Sequence, residues 1–134
     1  MFSHITVGVA NLDRAGRFYD AVLIPLGLVR RAVASDGGPP SLCWARPDGG
    51  LPRFYAYIPY GGGAASAGNG CMTAFLAPSQ TAVAAAYAAG LAVGGSDDGA
   101  PGERAHYAPS YYGAYVRDPD GNKLHIVHRG DMTQ

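Results

Sequence analysis

Two histidines, a tyrosine and a methionine are the first candidates for chemistry in this chain of 134 residues. Sliding the sequence along itself by 68 residues places His4 over Met72 and Tyr57 over His125. Imidazole nitrogens suit zinc, nickel or copper, whereas a thioether favours copper(I). If a duplicated sheet brings the four positions together near its axis, they predict a site for a metal ion or a substrate.

No carboxylate is predicted to join these four positions. All ten acidic residues are assigned by the sequence pattern to turns, loops or helix surfaces, and none to a strand position beside the histidines. A divalent ion held by His4 and His125 would therefore lack an anionic ligand to offset its charge. We expect such a site to bind a metal only weakly.

The elements that must position these residues follow a repeated pattern. In the run HITVGVA apolar residues alternate with polar or small ones, which predicts a strand. Asn11 suits a helix N-cap, apolar residues at helical spacing follow it, and Gly27 ends the helix. The same shift places Ser79 over Asn11 and Gly95 over Gly27. The caps and breakers in register predict an internal duplication of a strand–helix–strands module.

Each half then closes with a predicted hairpin. Its strands are expected near 41–46 and 53–59 in the first half, and near 111–117 and 123–128 in the second. Residues 118–121, Asp-Pro-Asp-Gly, have the residue preferences of a type I turn. A strand-like run, LVRRAVAS, follows the first helix.

The chain is predicted to be a single domain with two modules. Module one covers 1–60, a glycine-rich linker covers 61–68, and module two covers 69–130. Residues 94–110 are predicted to form an irregular connection, long enough to suggest a functional segment.

The composition limits the partners and the compartment. The formal net charge is zero and Arg30-Arg31 is the sole adjacent basic pair, so we expect no nucleic-acid partner. The chain starts without the basic region of a signal peptide and its longest apolar stretch is too short to span a bilayer, so we expect no membrane association. Cys43 and Cys71 lack metal-ligand spacing, and we expect two free thiols in a cytoplasmic protein.

Two long stretches carry a family resemblance. HITVGVANLDRAGRFYDAVLIPLGL and APGERAHYAPSYYGAYVRDPDGNKLHIV resemble bacterial glyoxalase-like proteins of the vicinal oxygen chelate superfamily, which includes glyoxalase I, extradiol dioxygenases and bleomycin-resistance proteins. The resemblance runs over nearly the whole chain, and the DPDGN turn is its most specific part. It implies an α+β fold of two tandem βαβββ modules forming an open curved mixed sheet around a cup, with helices on the outer face. It also implies a small-molecule substrate or ligand and a homodimer.

The resemblance also implies metal ligands, and this chain departs from the family at most of them. His4 matches the family's first-strand histidine. Met72 replaces the second-module histidine, and His125 replaces the carboxylate that follows the DPDGN turn. Tyr55 or Tyr57 occupies the place of a glutamate on the last strand of module one. His4 and His125 are therefore the predicted ligands of a divalent ion, zinc or nickel.

Two functions remain open at this point. The first is a metal-assisted lyase, isomerase or dioxygenase, with Glu103, His106 or His125 moving a proton. The second is a metal-free protein that binds or sequesters a small molecule in the same cup. In both, the residues predicted to line the cup are aromatic or polarisable: Trp44, Tyr55, Tyr57, Met72 and Tyr112.

Overall fold

The computed structural model describes residues 1–131. In chain order the elements are β1 (His4–Gly8), α1 (Leu12–Leu23), β2 (Val29–Arg31), β3 (Ser41–Ala45), β4 (Arg53–Tyr57), β5 (Thr73–Leu76), α2 (Gln80–Ala92), β6 (Ser96–Glu103), β7 (Tyr112–Arg117) and β8 (Lys123–His128), with a 3₁₀ turn at Ile24–Leu26. The strands form two four-stranded sheets, ordered β1-β4-β3-β2 and β5-β8-β7-β6. In each sheet the first and last strands of a module pair in parallel and the others pair antiparallel. The predicted α+β fold of two βαβββ modules is confirmed.

Both helices begin at the predicted caps. The Asn11 side chain accepts a hydrogen bond from the Arg14 amide at 2.9 Å, and the Ser79 hydroxyl accepts one from the Ala82 amide at 3.0 Å. These bonds satisfy amides that the first turn of a helix leaves without partners. Gly27 ends the 3₁₀ turn that follows α1 and adopts a φ of +91°, a conformation that glycine reaches without a steric penalty.

Two parts of the secondary structure differ from the prediction. Residues 94–110 are not irregular throughout, since β6 occupies Ser96–Glu103. This strand lies at a sheet edge, and its pairing with β7 shifts register near Asp97 and again near Gly99. Its sequence, SDDGAPGE, lacks alternation because a bulged edge strand depends on its neighbour rather than on its own propensity. In the first module β2 has three residues, shorter than the run LVRRAVAS.

The core lies between the two sheets and the two helices. Phe54 and Ala56 of the first sheet and Phe75, Leu124 and Ile126 of the second belong to one cluster of buried residues. The helices α1 and α2 pack against each other. Successive strand residues point to opposite sides of a sheet, so their neighbours face away from the helices. We call the side of each sheet opposite to this core its open face.

The Asp118 turn fastens the second module to the first. Asp118 is buried and accepts a 2.7 Å hydrogen bond from the hydroxyl of Tyr19 on α1. Asn122 donates its side-chain amide to the Gly8 carbonyl at the end of β1, and Asp120 accepts from the Ala10 amide. The turn is therefore a structural connection between the modules.

No helix within residues 1–131 has the length and hydropathy needed to cross a membrane.

Candidate functional site

His125 is buried on the open face of the second sheet, with 2% of its surface exposed. Its Nδ1 lies 2.9 Å from the Ala114 carbonyl oxygen, and its Nε2 lies 2.6 Å from the Tyr111 hydroxyl. Because a carbonyl only accepts, Nδ1 carries the proton and donates it to Ala114. In the neutral ring the Nε2 lone pair then accepts from Tyr111. Both ring nitrogens are thus engaged within the fold.

The surroundings of His125 favour the neutral ring. Burial lowers the pKa of His125, because the imidazolium loses hydration. The hydrogen bond to Ala114 opposes that shift, whereas the positive charges of Arg104 and Lys123 add to it. The ring is therefore uncharged at neutral pH, in the tautomer that its partners select.

Three tyrosines complete an aromatic group around this histidine. The ring of Tyr115 stacks on that of His125 with centroids 4.1 Å apart, and the ring of Tyr111 is nearly parallel at 5.7 Å. Tyr107 meets Tyr111 edge to face at 5.1 Å. Burial, followed by the nearby Tyr107 hydroxyl, raises the pKa of Tyr115 to about 12. These four residues, Tyr107, Tyr111, Tyr115 and His125, are called the tyrosine–histidine cluster below.

Gly113 makes room for this arrangement. A Cβ atom at position 113 would lie 2.5 Å from Cε1 of His125 and 3.2 Å from its Nε2. Atoms of a stacked ring that is fixed by two hydrogen bonds have little freedom to give way. The absence of a side chain at 113 is thus part of what seats the imidazole.

Three cations stand over the tyrosines. Lys123 Nζ lies 5.0 Å from the centroid of Tyr115, and Arg104 lies 5.9 Å from the same centroid. Arg129 lies 5.3 Å from the centroid of Tyr111. Such contacts attract a cation to the negative face of the ring. Lys123 shares Asp98 with Arg117, and Arg129 is paired with Asp131, so the positive charge is balanced only in part.

Glu103 and His106, which were proposed to move protons, lie at the end of β6 and in the turn at residues 105–107 that follows it. Glu103 ends β6 and is exposed. His106 is also exposed, and its ring lies 4.1 Å from that of Tyr107. The Tyr107 side chain, 57% exposed, is the outermost ring of the cluster.

The predicted residues of the first module lie on the other sheet. His4 is exposed at the start of β1, with its ring 5.5 Å from that of Tyr55 and its Nδ1 3.1 Å from the Ser3 hydroxyl. Tyr57 is half-buried at the end of β4, and Met72 precedes β5 and is 48% exposed. The contacts of His4 thus come from its own sheet, as do those of His125 from the second sheet.

Two residues predicted to line the cup lie on the core side of their sheets. Trp44 is fully buried beside Tyr19 and Phe54, and its indole nitrogen donates to Asp20 at 2.9 Å. Tyr112 is partly buried and packs against the same core. The rings of Trp44 and Tyr112 therefore point away from the open faces, and the residues next to them in the strands point toward those faces.

Tyr111, Tyr115 and Gly113 are the residues that sequence reasoning missed, although a signal for them exists. The second hairpin pairs Arg117 with Lys123, and counting outward from that pair places Tyr115 opposite His125. Side chains two residues apart share a face. The spacing in YYGAY therefore puts positions 111, 113 and 115 on the face of His125.

A divalent metal ion does not fit the residues present. An imidazole nitrogen coordinates a metal through a free lone pair, but Nδ1 of His125 is protonated and Nε2 accepts from Tyr111. Within residues 1–131, no three His, Cys, Asp or Glu side chains are grouped as metal ligands. We therefore derive no chemical step through a metal.

A second feature lies between the two sheets. A groove of about 500 Å³ is lined by residues of both sheets, among them Ile5 of β1, Phe54 of β4, and Phe75 and Leu76 of β5. In the described part of the chain β1 pairs with β4 alone and β5 with β8 alone, so each has one free edge.

Comparison with known proteins places the chain in a family. The chain matches the family described as the Glyoxalase/Bleomycin resistance protein/Dioxygenase superfamily over residues 1–126. The crystal structure of a glyoxalase/bleomycin resistance protein from Albidiferax ferrireducens T118 is 39% identical, with a TM-score of 0.81 over 96% of this chain and 98% of that chain. Comparison with functionally curated proteins returned no significant match.

More distant structures share the fold alone. A glyoxalase-related enzyme from Fulvimarina pelagi is 19% identical, with a TM-score of 0.70 over 96% of this chain and 88% of that chain. A glyoxalase/bleomycin resistance protein/dioxygenase family enzyme from Burkholderia phytofirmans PsJN is 16% identical, with a TM-score of 0.70 over 94% of this chain and 96% of that chain. The family match and the 39% identical structure, each covering nearly the whole chain, decide the assignment. This chain belongs to the Glyoxalase/Bleomycin resistance protein/Dioxygenase superfamily.

Proposed function

We propose that this protein binds a small planar organic molecule without a metal ion, at the tyrosine–histidine cluster on the open face of the second sheet. The observation that carries the proposal is the engagement of both nitrogens of His125, at 2.6 and 2.9 Å, in the position where a metal ligand was expected. The metal-assisted lyase or dioxygenase alternative needs a free lone pair at that position. A binding cup needs only shape, aromatic surface and a few polar groups.

The cluster offers such a surface. Tyrosine rings present large apolar faces with a hydroxyl at one end, which suits a flat ligand that carries polar substituents. The exposed ring of Tyr107 and the half-buried ring of Tyr115 provide these faces. Arg104 and Lys123 lie over the ring of Tyr115 and add positive charge beside this surface.

We also propose a homodimer in which the free edges of β1 and β5 meet a second copy. Ile5, Met72 and Leu76 near these edges are 37%, 48% and 59% exposed. An open strand edge beside an apolar groove is a liability unless something covers it. A second copy offers the complementary edges and the same apolar surface. In such a dimer Tyr55 and Tyr57 of a first sheet would complete the wall of the cup.

Elemental analysis tests the metal-free proposal directly. The protein is purified without a metal-affinity tag, and its metal content and thermal midpoint are measured with and without added nickel or zinc. A ligand that binds the folded state alone raises the midpoint. We expect no stoichiometric metal and no rise.

A matched variant makes the result specific. If near-stoichiometric metal is present and is lost in the His4→Ala, His125→Ala double variant, a chelate site exists and the metal-free proposal is wrong. A His106→Ala variant, altered at an exposed turn position, serves as the control.

A further inference from the structure

We propose that Tyr111, held by His125, presents a hydrogen-bond acceptor to the ligand, so that the site selects planar molecules carrying an O–H or N–H donor. This inference rests on the proposed function, because it assumes that the ligand binds at the tyrosine–histidine cluster. Beyond that function, it specifies that the group recognising the ligand is a hydrogen-bond acceptor.

The direction of each hydrogen bond follows from the chemistry of its partners. The Ala114 carbonyl fixes the proton of His125 on Nδ1, 2.9 Å away. Nε2 is then an acceptor, and the 2.6 Å contact is a bond donated by the Tyr111 hydroxyl. A phenol that donates its proton to one neighbour still has an oxygen lone pair that can accept a hydrogen bond from a second partner. Tyr111 therefore offers an acceptor rather than a donor.

Burial and orientation keep this polarity fixed. His125 is 2% exposed and Tyr111 is 9% exposed, so water competes little for the bond between them. The seat left by Gly113 and the stacked ring of Tyr115 prevent the imidazole from turning. A chain of hydrogen bonds in such a setting polarises its members, so a ligand proton donated to Tyr111 extends the chain.

The neighbouring ring of Tyr107 restricts the shape of the ligand that can bind. Tyr107 lies edge to face with Tyr111 at 5.1 Å and is the exposed side chain beside it. A ligand that reaches the Tyr111 oxygen must displace or pack against this ring. A planar molecule does so at least cost, because aromatic pairs favour offset or edge contacts.

Phenol and anisole are suitable probes, because they share a ring but anisole lacks the hydroxyl proton. Binding to the full-length protein is measured by titration calorimetry near neutral pH. We expect phenol to bind more tightly than anisole. In Tyr111→Phe the phenol affinity falls roughly tenfold, equivalent to about 1.4 kcal/mol, and anisole is unaffected. Tyr112→Phe, altered at the next residue but on the core side of the second sheet, changes neither affinity.

A second measurement uses the unmodified protein. Nitrogen-15 NMR of the histidine rings reports the tautomer of His125. At neutral pH we expect the proton on Nδ1, and phenol is expected to shift the Nε2 signal.

Four results would overturn the inference. Equal affinities for phenol and anisole, or an equal loss of both in Tyr111→Phe, would mean that Tyr111 acts by packing. An Nε2–H tautomer at neutral pH would reverse the assigned polarity. If neither probe binds at millimolar concentration, this inference and the proposed function both fail, whereas the first three findings leave ligand binding intact.

Discussion

Gly113 and His125 occupy adjacent strands so closely that a single Cβ atom at 113 would lie 2.5 Å from the imidazole. The placement of the His125 ring in β8 therefore depends on the absence of a side chain at Gly113 in β7. The consequence is that the state of His125, including which nitrogen carries the proton, depends on a residue that has no side chain.

Replacing Gly113 by alanine should destabilise the protein, because the added methyl group displaces a ring that is fixed by two hydrogen bonds. Overpacking of this kind costs about 1–3 kcal/mol in the free energy of unfolding. Urea denaturation followed by fluorescence measures the loss. The control is Gly102→Ala, where the nearest atom is the flexible end of Arg104 at 3.1 Å. Equal losses in the two variants would contradict the close fit at 113.

Stability should fall as the pH drops below about 6.5, the ordinary value for a histidine. Burial lowers the pKa of His125 in the folded protein, so below this pH the unfolded chain binds more protons than the folded protein. This proton binding stabilises the unfolded chain and lowers the free energy of unfolding. The loss should level off once the pH passes below the pKa of the folded state. The free energy of unfolding, measured from pH 7.5 to 5, tests this.

The pH dependence can be assigned to one residue. A His125→Gln variant should lose most of the slope between pH 7.5 and 5, whereas His106→Gln, altered in the exposed turn, should retain it. An unchanged slope in His125→Gln would show that another group titrates.

Removing the hydrogen bond between the modules should destabilise the protein more than removing an equivalent one at the surface. Tyr19 donates to buried Asp118 at 2.7 Å, and Tyr87 donates to Asp97 at the same distance near solvent. Tyr19→Phe leaves a buried carboxylate short of a donor, which costs roughly 1.5–3 kcal/mol. Tyr87→Phe should cost much less, because water replaces the lost donor. Thermal or urea denaturation of the two variants compares them, and equal effects would refute the role of the Asp118 turn as a connection between the modules.

A charge at the edge of β5 should break the proposed homodimer. Leu76 is 59% exposed beside the groove, and a lysine there would place a charge in an apolar contact. We expect Leu76→Lys to be monomeric in sedimentation velocity. Leu91→Lys, on α2 and 37% exposed, is expected to keep the oligomeric state of the native chain. A monomeric native chain, or dimers in both variants, would rule out this interface.

The sequence by itself determined the features that depend on neighbouring residues or on repetition. Asn11 and Ser79 cap their helices because an N-cap needs only its own side chain and the amides two or three residues later. The bond from the Gly121 amide to the Asp118 carbonyl closes the turn within four residues. The duplication of modules was visible because these local signals recur at one spacing along the chain.

Only the tertiary structure decided what His125 does. Its position on the open face could be counted from the turn, but its tautomer and the loss of a free lone pair depend on Ala114 and Tyr111, which reach it across the β7–β8 pairing. The strand β6 likewise exists because β7 supplies its hydrogen-bond partners, against a sequence of poor strand propensity. Both outcomes rest on contacts between separate segments, and such contacts leave no pattern within either segment alone.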